Sequence, residues 1–334
     1  MFAQELTPLL RHALKHYNMV RYFTKDKGKV VELEESYQKG WAHLCPPFQD
    51  GELAAFARTN HIPLDFLQDS LDIDERSRYE REEEVRLILI NSPVENAQLV
   101  EDNDAIYITA PIGIVLTPDL TVTITSAKET ILQQFVDGKI RAFEPSDQSG
   151  FVLQILEKNV FRFTAYLRSL NKKRNLIERE LYDSSRNKEL RQLLAIEKSL
   201  VFFVNSLSTN ELLKMKMKRT DFLGIRNDEI KTDLFEDIII DNSQALEMSN
   251  IYTNILGGTM DAYSSIISNN LNVVIQRLTF ITIVLTVPTL VASLFGMNVA
   301  LPFSDEPWAF AAIIGLSIVF SLLLVWYFQR KKLF

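Results

Sequence analysis

The sequence predicts an α/β domain followed by a long helix and two C-terminal transmembrane helices. Three observations predict this. Strand-like segments fall before residue 126 and helical periodicity dominates after Gly150. No proline interrupts the pattern from Asp233 until Pro288. And two charge-free apolar runs, Leu278–Phe295 and Trp308–Phe328, close the chain. A helix needs about 20 apolar residues to cross the hydrocarbon core, so the first run is just long enough and the second is a fuller span. Both lie at the wrong end of the chain for a signal peptide. Two such runs in succession would need an unusually large core to be buried in a soluble protein.

In chain order, residues 1–18 read as an amphipathic extension, with Met19 as an alternative start. Met19–Phe23 and Val30–Leu33 alternate around a Lys-Asp-Lys-Gly turn, a hairpin signal. Gly51–Asn60 and Leu64–Leu71 read as short helices. Val85–Ile90, Ala105–Thr109, Ile112–Leu116 and Thr121–Thr125 are rich in β-branched residues and bounded by Pro, Gly and Asp, so they read as strands. Lys128–Asp137 resumes a helical period. Phe151–Asp183 and Ser185–Ser206 read as two long amphipathic helices, and Leu212–Leu223 as a shorter one stopped near Gly224. A single helix from Asp233 to Phe295 would run roughly 90 Å at 1.5 Å per residue, a stalk leading into the first span. The corresponding division is 1–145, an αβα domain; 146–232, a helical hairpin; 233–277, the stalk; 278–298, the first span and its end; 299–307, an outer loop; 308–329, the second span; and 330–334, a basic tail.

Composition narrows the function. The 334 residues carry a net charge of −7, against a nucleic-acid partner. One cysteine, Cys45, excludes an internal disulfide framework and CxxC zinc sites. All four histidines lie in the first 61 residues, with no HExxH, P-loop or GxSxG, so an enzyme is not expected. Arg277 precedes the first span, Arg330, Lys331 and Lys332 follow the second, and the connecting loop carries only Asp305 and Glu306. The positive-inside rule therefore puts both ends in the cytoplasm of a two-span protein of the cell membrane.

A polar stripe marks the first span. Asn272, Ile275, Thr279, Thr282, Thr286, Thr289 and Ser293 recur at steps of three and four, on one helix face. The same face continues back through Ser268, Ser265 and Asp261. One reading is helix packing through small polar residues. The other is a water-filled pore at the axis of several copies, which the continuation beyond the bilayer favours.

After the stripe comes Phe295-Gly296-Met297-Asn298, preceded by Pro288-Thr289-Leu290-Val291-Ala292-Ser293-Leu294. This arrangement resembles the CorA family of divalent-cation channels, whose mark is Gly-Met-Asn at the outer end of the penultimate hydrophobic segment. Trp41, Leu64–Leu71 and Ile112–Thr125 resemble it more loosely. The resemblance implies a funnel-shaped homopentamer in the lipid bilayer that transports Mg²⁺, with Co²⁺ and Ni²⁺ as further candidates. It implies a selectivity filter at Gly296, Met297 and Asn298, and a pore lined by the stripe, with Ile275 and Leu278 at the cytoplasmic narrowing and Asp261 as an acidic ring. It also implies closure by intracellular Mg²⁺ held between subunits by Asp69 and Asp237. Val299-Ala300-Leu301-Pro302-Phe303 replaces the family's usual aromatic and Met-Pro-Glu segment. A zinc transporter of the same superfamily and a non-conducting, membrane-anchored cation sensor are the alternatives.

Overall fold

Residues 19–26, 28–33, 40–97, 104–127, 131–183, 187–297 and 308–331 are described by the computed structural model. The amphipathic extension, Asn298, the outer loop and the last three residues lie outside them. The chain divides into two compact units, Met1–Thr259 and Met260–Phe334.

The first unit is built on a seven-stranded sheet. Its strands are β1 (Val20–Asp26), β2 (Lys29–Leu33), β3 (Gly40–Leu44), β4 (Arg78–Glu82), β5 (Val85–Glu95), β6 (Tyr107–Leu116) and β7 (Leu120–Thr125). The order is β2-β1-β3-β7-β6-β5-β4, and all neighbours are antiparallel except β3 and β7. The expected β1–β2 hairpin forms, with Asp26 opposite Lys29. Side chains alternate between faces. Ala42, Leu44, Leu87, Val115, Val122 and Ile124 form one core with Phe56 and Ala57 of α1 (Glu52–Thr59) and Phe66 and Leu67 of α2 (Leu64–Asp69). Ser70, just past the end of α2, packs closely on Gly113: a Cβ there would lie 1.9 Å from Ser70 Oγ, so no larger residue fits.

The other face holds Trp41, fully buried and stacked on Phe23 at 4.6 Å. Phe135 of α3 (Leu132–Val136), Phe143, and Phe151 of α4 (Gln148–Asp183) meet its edges. Its indole N–H donates to Thr123 Oγ1 at 2.7 Å. Beside it His43 is buried, and burial pushes its imidazole down to about 4, so it is neutral at physiological pH. α5 (Asn187–Thr220) runs back along α4 and ties to β6: Ser199 Oγ accepts from the Tyr107 N–H, and Ser206 Oγ donates to Thr109.

Two expectations about continuity are corrected. Most of Ala105–Thr109 and all of Ile112–Leu116 are parts of one strand, which begins at Tyr107, because Pro111 lies just past Ile112, the last β6 residue paired to β7. Beyond that point β6 is an edge on the β7 side, where a missing N–H is tolerated. Likewise Ser185–Ser206 and Leu212–Leu223 belong largely to one helix, α5. The polar run between them does not break it, because its side chains have tertiary partners: Asn210 donates to the Asn91 carbonyl and accepts from the Asn91 N–H and from Ser77. Two strands were not expected at all, β3 and β4.

α6 (Glu229–Phe295) is 67 residues long and crosses the division between the units. The second unit contains its later part and α7 (Ala309–Arg330). Both helices are long and apolar enough to cross a membrane.

Candidate functional site

In the second unit α7 covers one side of α6. Phe280, Val284, Val287, Pro288 and Val291 are the partly buried residues of this stretch, and Phe280 meets Phe328 edge-on at 5.5 Å. Pro288 would orphan the Val284 carbonyl, since it has no N–H to donate four residues back. The Ser321 hydroxyl of α7 lies 3.4 Å from that oxygen and 3.0 Å from the Ser317 carbonyl, so its one proton is shared and partly replaces the donor that the first span loses.

The polar stripe lies on the opposite side. At roughly 100° per residue, the covered face is about 120–180° round the helix from the centre of the threonine row. Asn272, Ile275, Leu278, Thr279, Thr282, Thr286, Thr289 and Ser293 are all exposed in the single chain. Thr282, Leu285, Thr286, Thr289, Leu290, Ser293 and Leu294 line a shallow groove along it. Each central threonine donates its hydroxyl to the carbonyl one turn back: Thr282 to Leu278 at 2.9 Å, Thr286 to Thr282 at 2.7 Å and Thr289 to Leu285 at 2.8 Å. The proton is thereby committed to the backbone, and the oxygen lone pairs remain free to accept from outside. Water bound to a cation donates hydrogen bonds, so this face suits a hydrated cation.

α6 ends at Phe295. The Gly296 N–H still donates to Ala292 at 3.0 Å, and Met297 donates to Leu294 at 3.4 Å, so the last turn tightens before the chain leaves. A Cβ on Gly296 would come within 3.2 Å of the Ala292 carbonyl oxygen, so the absence of a side chain relieves a tight contact. Asn298, expected from the sequence as the third filter residue, lies outside the described residues. Asp261 is exposed on α6.

In the first unit Asp69 closes α2 and is half-buried. Arg78 of β4 donates to its Oδ2 at 2.6 Å and also pairs with Glu75. This partner was not foreseen: nine residues separate the two, and the intervening acidic run reads as solvated surface. Asp237 is exposed on α6, next to Glu236, whose carboxylate takes Lys218 at 2.6 Å. Among the described residues no group of three or more His, Cys, Asp or Glu side chains forms a metal cage in one chain.

Comparison with known proteins fits these features. A family model described as CorA-like Mg²⁺ transporter protein matches residues 38–331. The cobalt/magnesium transport protein CorA of Methanocaldococcus jannaschii is 27% identical over 315 residues, covering 91% of this chain and 96% of that protein. The complete structure of the CorA magnesium transporter from the same organism superposes with a TM-score of 0.75 at 25% identity, over 94% of this chain and 98% of that one. The ZntB cytoplasmic domain of Vibrio parahaemolyticus, with a TM-score of 0.57 at 11% identity over 75% of this chain and 98% of its own, is similar in fold alone. With nearly the whole chain matched by the family model, the protein belongs to the CorA-like Mg²⁺ transporter family.

Proposed function

We propose that this chain is a magnesium channel of the cell membrane, with Co²⁺ and Ni²⁺ as secondary cargo, in which five copies surround one pore. The observation that carries the reading is the exposed hydroxyl stripe on the side of α6 turned away from α7. In such an assembly α6 forms the inner ring and α7 the outer ring. Helix packing alone would not require the stripe to continue through Asn272 to Asp261.

Mg²⁺ holds its six waters tightly and prefers regular octahedral oxygen coordination. A channel need not strip them. Five Asn298 amides at the outer mouth would present neutral oxygens and N–H groups to the hydrated ion. The Thr289, Thr286 and Thr282 oxygens, one turn of about 5 Å apart, would then accept from its water shell in succession. Neutral acceptors hold the ion weakly enough to release it, as conduction requires. No His or Cys occurs from Asn272 to Ser293, which favours hard cations. Ile275 and Leu278 would close the cytoplasmic end by dewetting, and an Asp261 ring would concentrate cations below it. Both termini are cytoplasmic in this reading, residues 1–145 and 146–232 form the cytosolic part, and residues 233–277 the stalk.

A thiol-labelling experiment tests the pore. Cysteines replacing Thr286 or Thr289 react with a hydrophilic thiol reagent in the open channel, at least tenfold faster than cysteines at Val284 or Val291, which α7 covers. Equal rates at the two sets would make the stripe a packing surface.

Regulation belongs to the same reading. The carboxylates of Asp69 and Asp237 are the right donors for a hard cation, and such a site would be completed between chains. Arg78 already neutralises part of the Asp69 charge, so Asp237 carries the larger share of cation attraction. Asp237→Asn should raise the Mg²⁺ concentration needed for closure severalfold, and Asp69→Asn should do so less. A ligand shifts a conformational equilibrium only by its differential affinity for the two states. The measurement is current against cytoplasmic Mg²⁺, with protease protection as the second readout. Parental behaviour in both variants would place the sensor elsewhere.

A further inference from the structure

Lys214 is an unusual residue for the inside of a protein. It lies on α5 with no exposed surface, in a sequence, Lys214-Met215-Lys216-Met217-Lys218, whose other lysines are exposed. Its Nζ donates to the Asn242 side-chain oxygen of α6 at 2.6 Å. Asn242 is itself fully buried, and its amide donates to the Leu207 carbonyl of α5 at 3.0 Å, which fixes the direction of its oxygen. An ammonium has three donors and a full charge. Among the described residues it meets one neutral acceptor. A charged amine in this place lacks the ion pairing that buried charges require, whereas a neutral amine is served by a single amide.

The surroundings offer little counter-charge. Among the described residues, Glu211 of α5 is the one carboxylate that acts on the amine, and it is partly exposed. On α6, Asp241 and Asp237 are exposed, and Glu236 is engaged by Lys218. Towards the sheet, the neighbouring turn of α5 places Asn210 against the neutral Ser77 and Asn91.

We propose that Lys214 and Asn242 form a proton-sensitive latch between α5 and α6, closed while the amine is neutral and released as the cytoplasm acidifies. The first half of α6 is thus held to the sheet-bearing unit by a contact that responds to pH. Burial, opposed by Glu211, pushes the Lys214 amine down to about 7, against 10.5 for a free lysine. In the range between these values the released state binds more protons than the docked state, so docking strengthens as pH rises and weakens as pH falls towards 7. Below that range both states carry the charge and the dependence flattens. Between pH 8.5 and 6.5 the released fraction should rise roughly twentyfold.

Hydrogen exchange on the full chain in detergent tests this without reference to ion flux, so its outcome is independent of the pore reading. Exchange of amides in residues 207–218 and 235–250, corrected for intrinsic rates, should report that twentyfold change in opening. Lys214→Met, which keeps length and removes the titration, should abolish it. Asn242→Asp gives a second route if the methionine variant does not fold: a carboxylate stabilises the docked ammonium, and the ratio should fall towards one. Equal opening of the parent at both pH values, or an unchanged ratio in either variant, would overturn the latch.

Discussion

In the proposed channel, Asn298→Ala should abolish selective Mg²⁺ flux while leaving the folded oligomer intact. The effect is expected to be large because the mouth of the proposed pore would have no other polar side chain at this position to meet the hydrated ion. Each of five amides would lose both an acceptor and a donor at once, and alanine offers neither. The threonine row would remain, so a non-selective leak is compatible with the account. Selective Mg²⁺ flux, the signal of a fluorescent Mg²⁺ indicator in excess of any leak shared by other cations, should fall at least a hundredfold in vesicles, with oligomer size checked by light scattering. Parental flux and selectivity in this variant would remove the filter assignment.

The second large effect is on stability. Trp41→Ala should cost about 4 kcal/mol, within the range for deleting a large aromatic from a packed core. Trp41 is fully buried and contacts Phe23, Phe135, Phe143 and Phe151, from a strand, a short helix, a connecting segment and a long helix. No single neighbour can move to refill the space without disturbing the others. The Thr123 hydroxyl would keep its hydrogen bond with His43 at 2.9 Å, so little of the cost comes from an orphaned polar group. Trp41→Phe should cost less than half as much. Chemical denaturation followed by the loss of aromatic circular dichroism measures both. A loss below 1 kcal/mol for the alanine variant would mean that the aromatic cluster is not the keystone of that face.

The sequence was most legible where one periodicity dominated. The β1–β2 hairpin follows from alternation around a glycine turn, and α6 follows from a proline-free helical pattern that starts four residues earlier than expected. β3 was not seen because Gly40–Leu44 is covered on both faces: four of its five residues are buried, so polar and apolar residues do not alternate. β4 was hidden for the opposite reason. Arg78–Glu82 is an edge strand of charged residues, a pattern that protects a sheet edge and reads as solvated surface.

The same distinction applies to the candidate site. The hydroxyl stripe was visible, since it depends only on spacing within one helix. That α7 covers the other side of α6 needed the packing of Phe280, Val284, Val287 and Val291, which look no different in sequence from the exposed Leu285 and Leu290. Arg78 beside Asp69 and Lys214 beneath Asn242 depend on tertiary contacts that no local pattern carries. The phase of α5 is the one signal that foreshadows Lys214: it shares a face with the buried Asn210 and Met217.

Ion uptake by the purified chain in proteoliposomes tests the central claim most directly. Mg²⁺, Co²⁺, Ni²⁺ and Zn²⁺ would be compared side by side under one inward gradient, with the Asn298→Ala protein as control. The account predicts saturable Mg²⁺ uptake well above protein-free vesicles, weaker Co²⁺ and Ni²⁺ uptake, and loss of selective uptake in the variant. Mg²⁺ uptake no faster than in protein-free vesicles, or uptake confined to Zn²⁺, would contradict it.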